Sequence, residues 1–580
     1  MADYLGMNTN SGNICCDVVS AKKHVVAKEL KTPKITDRHG VNVDGVKLCK
    51  GDVNATNLKL DGNLEIGGVI TGARDALPLT DEQIRREQAY QNRVCAAQQQ
   101  YVIPLPTHDN NGDEDLYPNR IGNYSKGFLH NALGEVDPDA YDEFAAAAAN
   151  PYLFDSLTLV GGRKLVNPLC GIAFDTEGAD SHALRMPPSP AFASAERASE
   201  IVENYWMALL RDVEFRNYGT DLTVAQACAD LNTMSDYRGL KSGGLVTTQT
   251  LFRGKALGCD KGPYLSQFFY VDCPYGANEI NQKARVPVAG DDFMTNFTEW
   301  KFIQEGNVPV TTQTFDPTRR YMRNGRDLSE WVHIDQLTQA YLIACMILKA
   351  RGCPFNPGNP YRTGHSTQQG FGTFGGPEII ALVNEVSSRA LKAVWYQKWY
   401  VHRVLRPEAY AGRIDRHKNN FATYPIHSDA LNSAVLPVVF GQYGSYLLPM
   451  AFPEGSPLHP SYGSGHATVA GACTTVLKAF FDTENFIMAD PKQPNAGGTA
   501  LSNYIGDPLS AEGELNKVAA NVAIGRNIAG VHWNSDADES LKLGEQVAIQ
   551  VLRDHKKMYH PAENYAGYTF RKFDGTRVTI

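Results

Sequence analysis

Three separated blocks of this chain carry side chains that together could hold one tetrahedral or trigonal-bipyramidal oxyanion. Lys398 is followed eight residues later by Arg406-Pro407, Ser464-Gly465-His466 comes next, and Arg526 precedes His532 by six residues and Asp536 by ten. The guanidinium forks of Arg406 and Arg526 stay protonated at any ordinary pH, and Lys398 adds a compact point charge. Ser464 offers a hydroxyl, and the Gly465 amide belongs to a helix start, where unpaired N–H groups and the positive end of the helix dipole favour an anion. An imidazole at 532 could bond the central atom if a neighbour such as Asp536 orients its other nitrogen. Phosphate and vanadate both meet this description.

Helices must bring these blocks together. After His466, small and apolar residues recur at helical intervals (Val469, Ala470, Cys473, Val476, Leu477), so Ser464-Gly465-His466 is predicted where a loop turns into a helix. Pro377 suits the first turn of a helix predicted to run to about Leu405, where Arg406-Pro407 stops it. On that helix Lys398, His402 and Arg406 fall four apart, with Trp395 three before Lys398, so all four are predicted to share a face turned into the pocket. A further helix is predicted over Ala511 to Ile528 with Arg526 near its C-terminal end. The last begins after Ser535, capped with Asp538, and continues through Leu541, Val547, Val551 and Leu552. His532 falls in the link between these two. Helix ends converging on one point imply a mainly α core with the site between its helices.

The ordered pattern Lys-x7-Arg-Pro, Gly-Ser-Gly-His, Gly-Arg-x5-His-x3-Asp resembles that of the vanadium-dependent haloperoxidases, which share it with bacterial type-A and lipid-phosphate acid phosphatases. A looser similarity to red-algal and cyanobacterial bromoperoxidases reaches upstream through Lys126-Gly-Phe-Leu-His-Asn. Two positions depart from the family pattern: Gly463 stands where Pro is usual, and Gly525 where Ser is usual. The resemblance implies two four-helix bundles. It implies vanadate ringed by Lys398, Arg406, Ser464, Gly465 and Arg526 and bonded axially to His532, with no haem. It further implies that His466 moves a proton and that Lys398 polarises hydrogen peroxide for attack by halide, giving hypohalous acid that halogenates small organic acceptors. His459, seven residues before His466, matches a histidine that algal bromoperoxidases carry beside vanadate, whereas Trp395 matches a tryptophan of the fungal chloroperoxidases. Bromide is therefore expected as the main halide, with some chloride oxidation. The alternative keeps the pocket and makes the protein an acid phosphatase, with His532 as nucleophile and His466 protonating the leaving alcohol. A third reading, an assembly protein with an accidental pocket, rests on the N-terminal region alone.

At 580 residues with a formal charge of −8, the chain is large enough for a substantial core and too acidic for a general nucleic-acid binder. No apolar run reaches membrane-spanning length, and the N-terminus lacks a secretory pattern, so a soluble protein in the cytoplasm is the default expectation. Residues 1–75 are expected to form a β-rich arm. Within it residues 35–72 alternate apolar and polar positions, with hairpin turns at Asp44-Gly45, Asp61-Gly62 and Gly67-Gly68. Such an arm cannot bury its own face and is expected to serve assembly of a homo-oligomer built from dimers. Residues 76–580 are expected to form the helical domain, with the pocket in 395–536. Other helices are predicted from Thr80 (capping box with Gln83) to about Gln100, from Ala195 to Glu214, from Leu222 to Leu231 and from Asp335 to Ala350. The acidic run Asp109 to Asp115 lacks EF-hand spacing and is expected to be a solvated loop. A structural divalent cation remains open, with no ligands assigned. Of the eleven cysteines most are expected as reduced core residues, with Cys15-Cys16 an adjacent, exposed pair.

Overall fold

The computed structural model describes residues 34–36, 42–44 and 80–580. The chain divides into two units, Met1–Gln98 and Gln99–Ile580. In the first, strands Lys34–Thr36 and Asn42–Asp44 pair antiparallel, placing Ile35 opposite Val43. The other turns foreseen in residues 35–72, and Cys15-Cys16, lie outside the described residues. A polar helix, Asp81–Tyr101, begins with the foreseen capping box: Thr80 N donates to Gln83 Oε1 (2.8 Å) and Gln83 N to Thr80 Oγ1 (3.3 Å).

The second unit is mainly helical, with three small antiparallel hairpins at its periphery. Its centre is the helix Gly465–Phe480, called here the serine helix because Ser464 caps it; every residue in it except His466 is buried. It packs most extensively against the helix Asn534–Met558 (aspartate helix), then Gly376–Tyr396 (lysine helix) and Ala511–Ile528 (arginine helix). All residues of the arginine helix are buried. An apolar stripe would not allow this; a helix buried on every side must sit inside the core. Close approach of the serine and aspartate helices depends on two glycines. A Cβ at Gly471 would lie 2.1 Å from Leu541 O, and one at Gly544 would lie 1.9 Å from Thr468 O. Any side chain there would force the helices apart and displace both site segments at their N-terminal ends.

Several predicted boundaries change. The helix from Ala195 ends at Leu209 rather than Glu214. The helix expected from Asp335 starts only at Gln339 and ends at Ala350, while Asp335 is the C-cap of a preceding, unforeseen helix, Gly325–Ile334. The aspartate helix starts at Asn534, before Ser535; Asp536 accepts from the N-cap amide Trp533 N (3.3 Å), and Glu200 Oε1 from Ser535 N (2.6 Å). Asp538 pairs with Lys255 instead. In the acidic run, Asp113 is buried rather than solvated, accepting from Phe192 N and Asn111 Nδ2 at 2.8 Å each. Cys228, Cys259, Cys273, Cys345, Cys353 and Cys473 are free and buried, Cys170 is free and half-buried, and Cys95 is disulfide-bonded. Among the described residues no helix is long and apolar enough to cross a membrane.

Candidate active site

The lysine helix ends at Tyr396 and continues as a π turn over Gln397–His402, closed by Arg403 with φ of 44°. Its i→i+5 pairing, seen where Arg403 N donates to Lys398 O (3.1 Å), replaces the uninterrupted helix to Leu405. The shared face predicted for Lys398, His402 and Arg406 is lost with it. Lys398 turns inward, fully buried, and donates to Pro460 O and Ser461 O at 2.9 Å each. His402 does not line the cavity: its ring stands edge-on to Tyr462, and neither nitrogen has a hydrogen-bond partner.

Burial, then His108 and Arg403, lower the His402 pKa to about 3. The unfolded chain would take up this proton below about pH 6.5 while the folded chain refuses it, so this residue makes stability fall as pH drops from about 6.5 towards 3. His402→Phe removes that dependence. In urea unfolding the free-energy advantage of wild type over the variant is expected to shrink by about 2.3 kcal/mol between pH 6.5 and 4.5. A pH-independent difference would show that the folded protein protonates His402.

The other groups converge. Arg406 caps the helix Pro407–Lys418 and is 1% exposed. Its Nη1 donates to Val531 O (2.7 Å) and to His532 Nε2 (3.0 Å), and its Nη2 to His459 Nδ1 and His459 O, both at 2.9 Å. His532 Nδ1 donates to Asp536 Oδ2 at 2.6 Å, which assigns the lone pair to Nε2, the atom facing Arg406. Asp536 also accepts from Ser461 Oγ at 2.5 Å and is fully buried. Arg526 donates to Val332 O (2.7 Å), while its buried Nε has no partner. Ser464 Oγ caps the serine helix through Ala467 N (3.4 Å) and its own amide donates to Ser540 Oγ (2.7 Å). Gly463 is explained by the same contact, because a Cβ there would lie 2.3 Å from Ser540 Oγ. Gly525 likewise faces Leu328 and Val332, 3.0 and 3.2 Å from where a Cβ would stand.

Gly465, His466, Arg526, His532, His459 and Trp395 border one cavity of about 300 Å³. Trp395 donates Nε1–H to Val166 O (2.9 Å), and its ring lies 4.9 Å from that of His459. Unforeseen residues complete the wall: Leu337, Leu391, Phe452 and Arg163, whose Nη1 has no partner. His466 Nε2 lies 3.0 Å from Asp335 Oδ1, a carboxylate from another helix end. At the rim His333 stacks on Phe452, 3.7 Å between centroids, and reaches Glu454 at 2.6 Å. Asp335 stands 131 residues from His466, and no local pattern marks it.

Electrostatics identify what this cavity suits. Burial, then repulsion from Arg406 and Arg526, hold the Lys398 ammonium well below the usual lysine range although Asp536 opposes this. Burial brings Arg406 and Arg526 each down to about 10. Burial together with the neighbouring cations keeps His459 and His532 far below the ordinary imidazole value, hence neutral. The carboxylates that act on these three cations, Asp536, Glu408, Asp335 and Glu454, do not restore their usual values, so an anion joining the buried cations would be favourable. A small oxyanion fits: its negative charge compensates the cations, the Arg526 Nε and the serine-helix amides are available donors, and the neutral His532 Nε2 can bond its central atom.

A family model described as the second helical-bundle domain of vanadium chloroperoxidase matches residues 378–561. The chain is 35% identical to a vanadium-dependent bromoperoxidase of Corallina pilulifera, covering 87% of this chain and all of that protein. It is 33% identical to one of Ascophyllum nodosum, covering 87% of this chain and 94% of that protein. Among solved structures, a homohexameric vanadate-dependent bromoperoxidase of Ascophyllum nodosum superposes with a TM-score of 0.81 at 31% identity, covering 90% of this chain and 94% of that one.

Proposed function

Since the chain belongs to the family of vanadium-dependent bromoperoxidases, we propose that the cavity between Lys398 and His532 is where its vanadate is held and its peroxide chemistry takes place. The protein is an enzyme that uses vanadate to oxidise halide with hydrogen peroxide to hypohalous acid. Bound vanadate supplies Lewis-acid activation without a change of oxidation state. The observation that carries the site assignment is the set of three buried cations around a neutral His532 whose Nε2 lone pair is aimed inward by Asp536.

In this reading Arg406 and Arg526 balance the oxyanion's charge, the Ser464 hydroxyl and Gly465 amide fix its orientation, and His532 Nε2 anchors it. Forming these contacts requires Arg406 to leave His532 Nε2, the atom it faces in this structure. Lys398 places a positive charge where negative charge builds up on peroxide oxygen. His466, held by Asp335, takes and returns the proton that peroxide must lose. Trp395, His459, Leu391 and Phe452 form a wall that strips water from an incoming halide. Bromide sheds its water more readily than chloride, so bromide is the favoured substrate and chloride the lesser one. Small organic acceptors then react with the product. The helical unit is read as paired four-helix bundles, and the region before residue 76 as an arm serving assembly of a homo-oligomer built from dimers.

The test is elemental analysis and paired turnover. Apo-protein incubated with orthovanadate should retain one vanadium per chain and brominate a phenolic indicator with peroxide, with slower chlorination and no hydrolysis of p-nitrophenyl phosphate. Chloride oxidation without bromide oxidation would overturn the halide assignment. Phosphatase turnover abolished by vanadate, with no halogenation, would overturn the site's chemistry.

A further inference from the structure

The aspartate helix carries a second cluster near its far end. His555 lies 19 residues beyond Asp536, about 28 Å along the axis, and so has no part in the oxyanion cavity. Its ring is 6% exposed, and neither nitrogen has a hydrogen-bond partner. Nε2 nevertheless lies 3.3 Å from Glu385 Oε2 and 3.5 Å from Glu177 Oε2. One potential ligand atom from each of the three residues falls within 4.8 Å of the others. In a tetrahedral zinc site, bonds of about 2.0–2.1 Å place neighbouring ligand atoms about 3.3 Å apart. Off-axis contacts at that distance, poor as hydrogen bonds, are the spacing of ligands around a common ion.

Charge points the same way. Arg389 is shared between Asp175 (3.0 Å), Glu385 Oε1 (2.8 Å) and Glu177 (3.5 Å), and Lys392 is bound to Asp175 (2.6 Å). Two cations thus face three carboxylates, and against the effect of burial Glu385, Glu177 and Glu378 raise the His555 pKa, so an ion bound there would take the place of the ring's proton. The loop bearing Glu177 is held in place: Arg389 Nη1 donates to Glu177 O (2.6 Å), and Gly178 N to Asp554 Oδ2 (2.7 Å). The Glu177 side chain is 41% exposed, which gives an ion an entry path and leaves room for a water ligand.

We propose that Glu177, Glu385 and His555 form a binding site for a divalent transition ion of the zinc type, clamping the 175–180 loop and the lysine helix to the end of the aspartate helix. Calcium and magnesium fit less well, since they take six or more oxygens and this site offers an imidazole and two carboxylates. Because His555 Nδ1 has no acceptor to orient it, affinity should be about 10–100-fold weaker than at a fully supported site.

The experiment uses the full chain, cleared of divalent ions on a chelating resin and loaded with orthovanadate so that the histidines of the active site are engaged. Calorimetric titration with zinc chloride at about pH 8, where imidazole is unprotonated, should give one site per chain, and cobalt(II) should give the visible absorption of a four- or five-coordinate ion. Zinc should raise the wild-type melting temperature. Glu177→Gln and His555→Gln should each weaken zinc at least ten-fold and abolish that thermal shift, with bromide oxidation unchanged. Should His555→Gln fail to fold, the exposed Glu177→Gln still decides. Absence of any wild-type site with Kd below about 1 mM, or unaltered binding in Glu177→Gln, would refute the proposal.

Discussion

His532→Ala should reduce bromide oxidation on the order of 10³-fold and leave purified protein without retained vanadate, while the fold persists. The loss of an outer partner of a metal ligand typically costs 10–100-fold. In the proposed site His532 is the ligand itself, with Nδ1 fixed by a buried carboxylate at 2.6 Å and its Nε2 lone pair on the side of Arg406. Asp536 would keep its contact with Ser461 Oγ, so the variant would not leave an isolated buried charge. Equilibrium dialysis against orthovanadate, with a thermal melt as fold control, measures this directly. Vanadate retained at wild-type affinity would refute the anchoring role.

Lys398→Met should lower kcat about 10²–10³-fold, the scale of losing one preorganised donor to a developing oxyanion. The two side chains have similar length, and the lost contacts are to the carbonyls of Pro460 and Ser461, so the structural cost should be modest beside the catalytic one. A second readout distinguishes charge from shape. Lys398 is one of the cations that, after burial, hold His459 and His532 far below the ordinary imidazole range. Removing it lets both rings accept protons at higher pH, so the acid limb of the rate profile should move towards neutrality. Loss of rate with an unmoved acid limb would mean that the lysine acts by packing alone.

The elements that carry the candidate donors were legible because helix ends are written into local signals. Ser464 as a helix cap, Arg526 at the end of Ala511–Ile528 and Arg406 ahead of Pro407 all follow from capping and periodicity, and each stands where the pattern predicted. The same local rules misplaced His402, because a π turn at Gln397–His402 changes the register by which residues four apart share a face. They also missed the start of the aspartate helix, where Asp536 rather than Asp538 takes the capping role.

What the residues alone determined is the inventory: fixed cations, a capping hydroxyl, and two histidines at spacings suited to an oxyanion. Tertiary structure alone decided which groups surround them. The Asp335 contact to His466, the His333 and Glu454 pair at the rim, and the glycine contacts of 471 and 544 depend on segments distant in the chain meeting at atomic distance. Spacing along a helix is set by its hydrogen-bonding period, whereas proximity between helices is set by how their side chains fill shared space, and that information resides in no single segment.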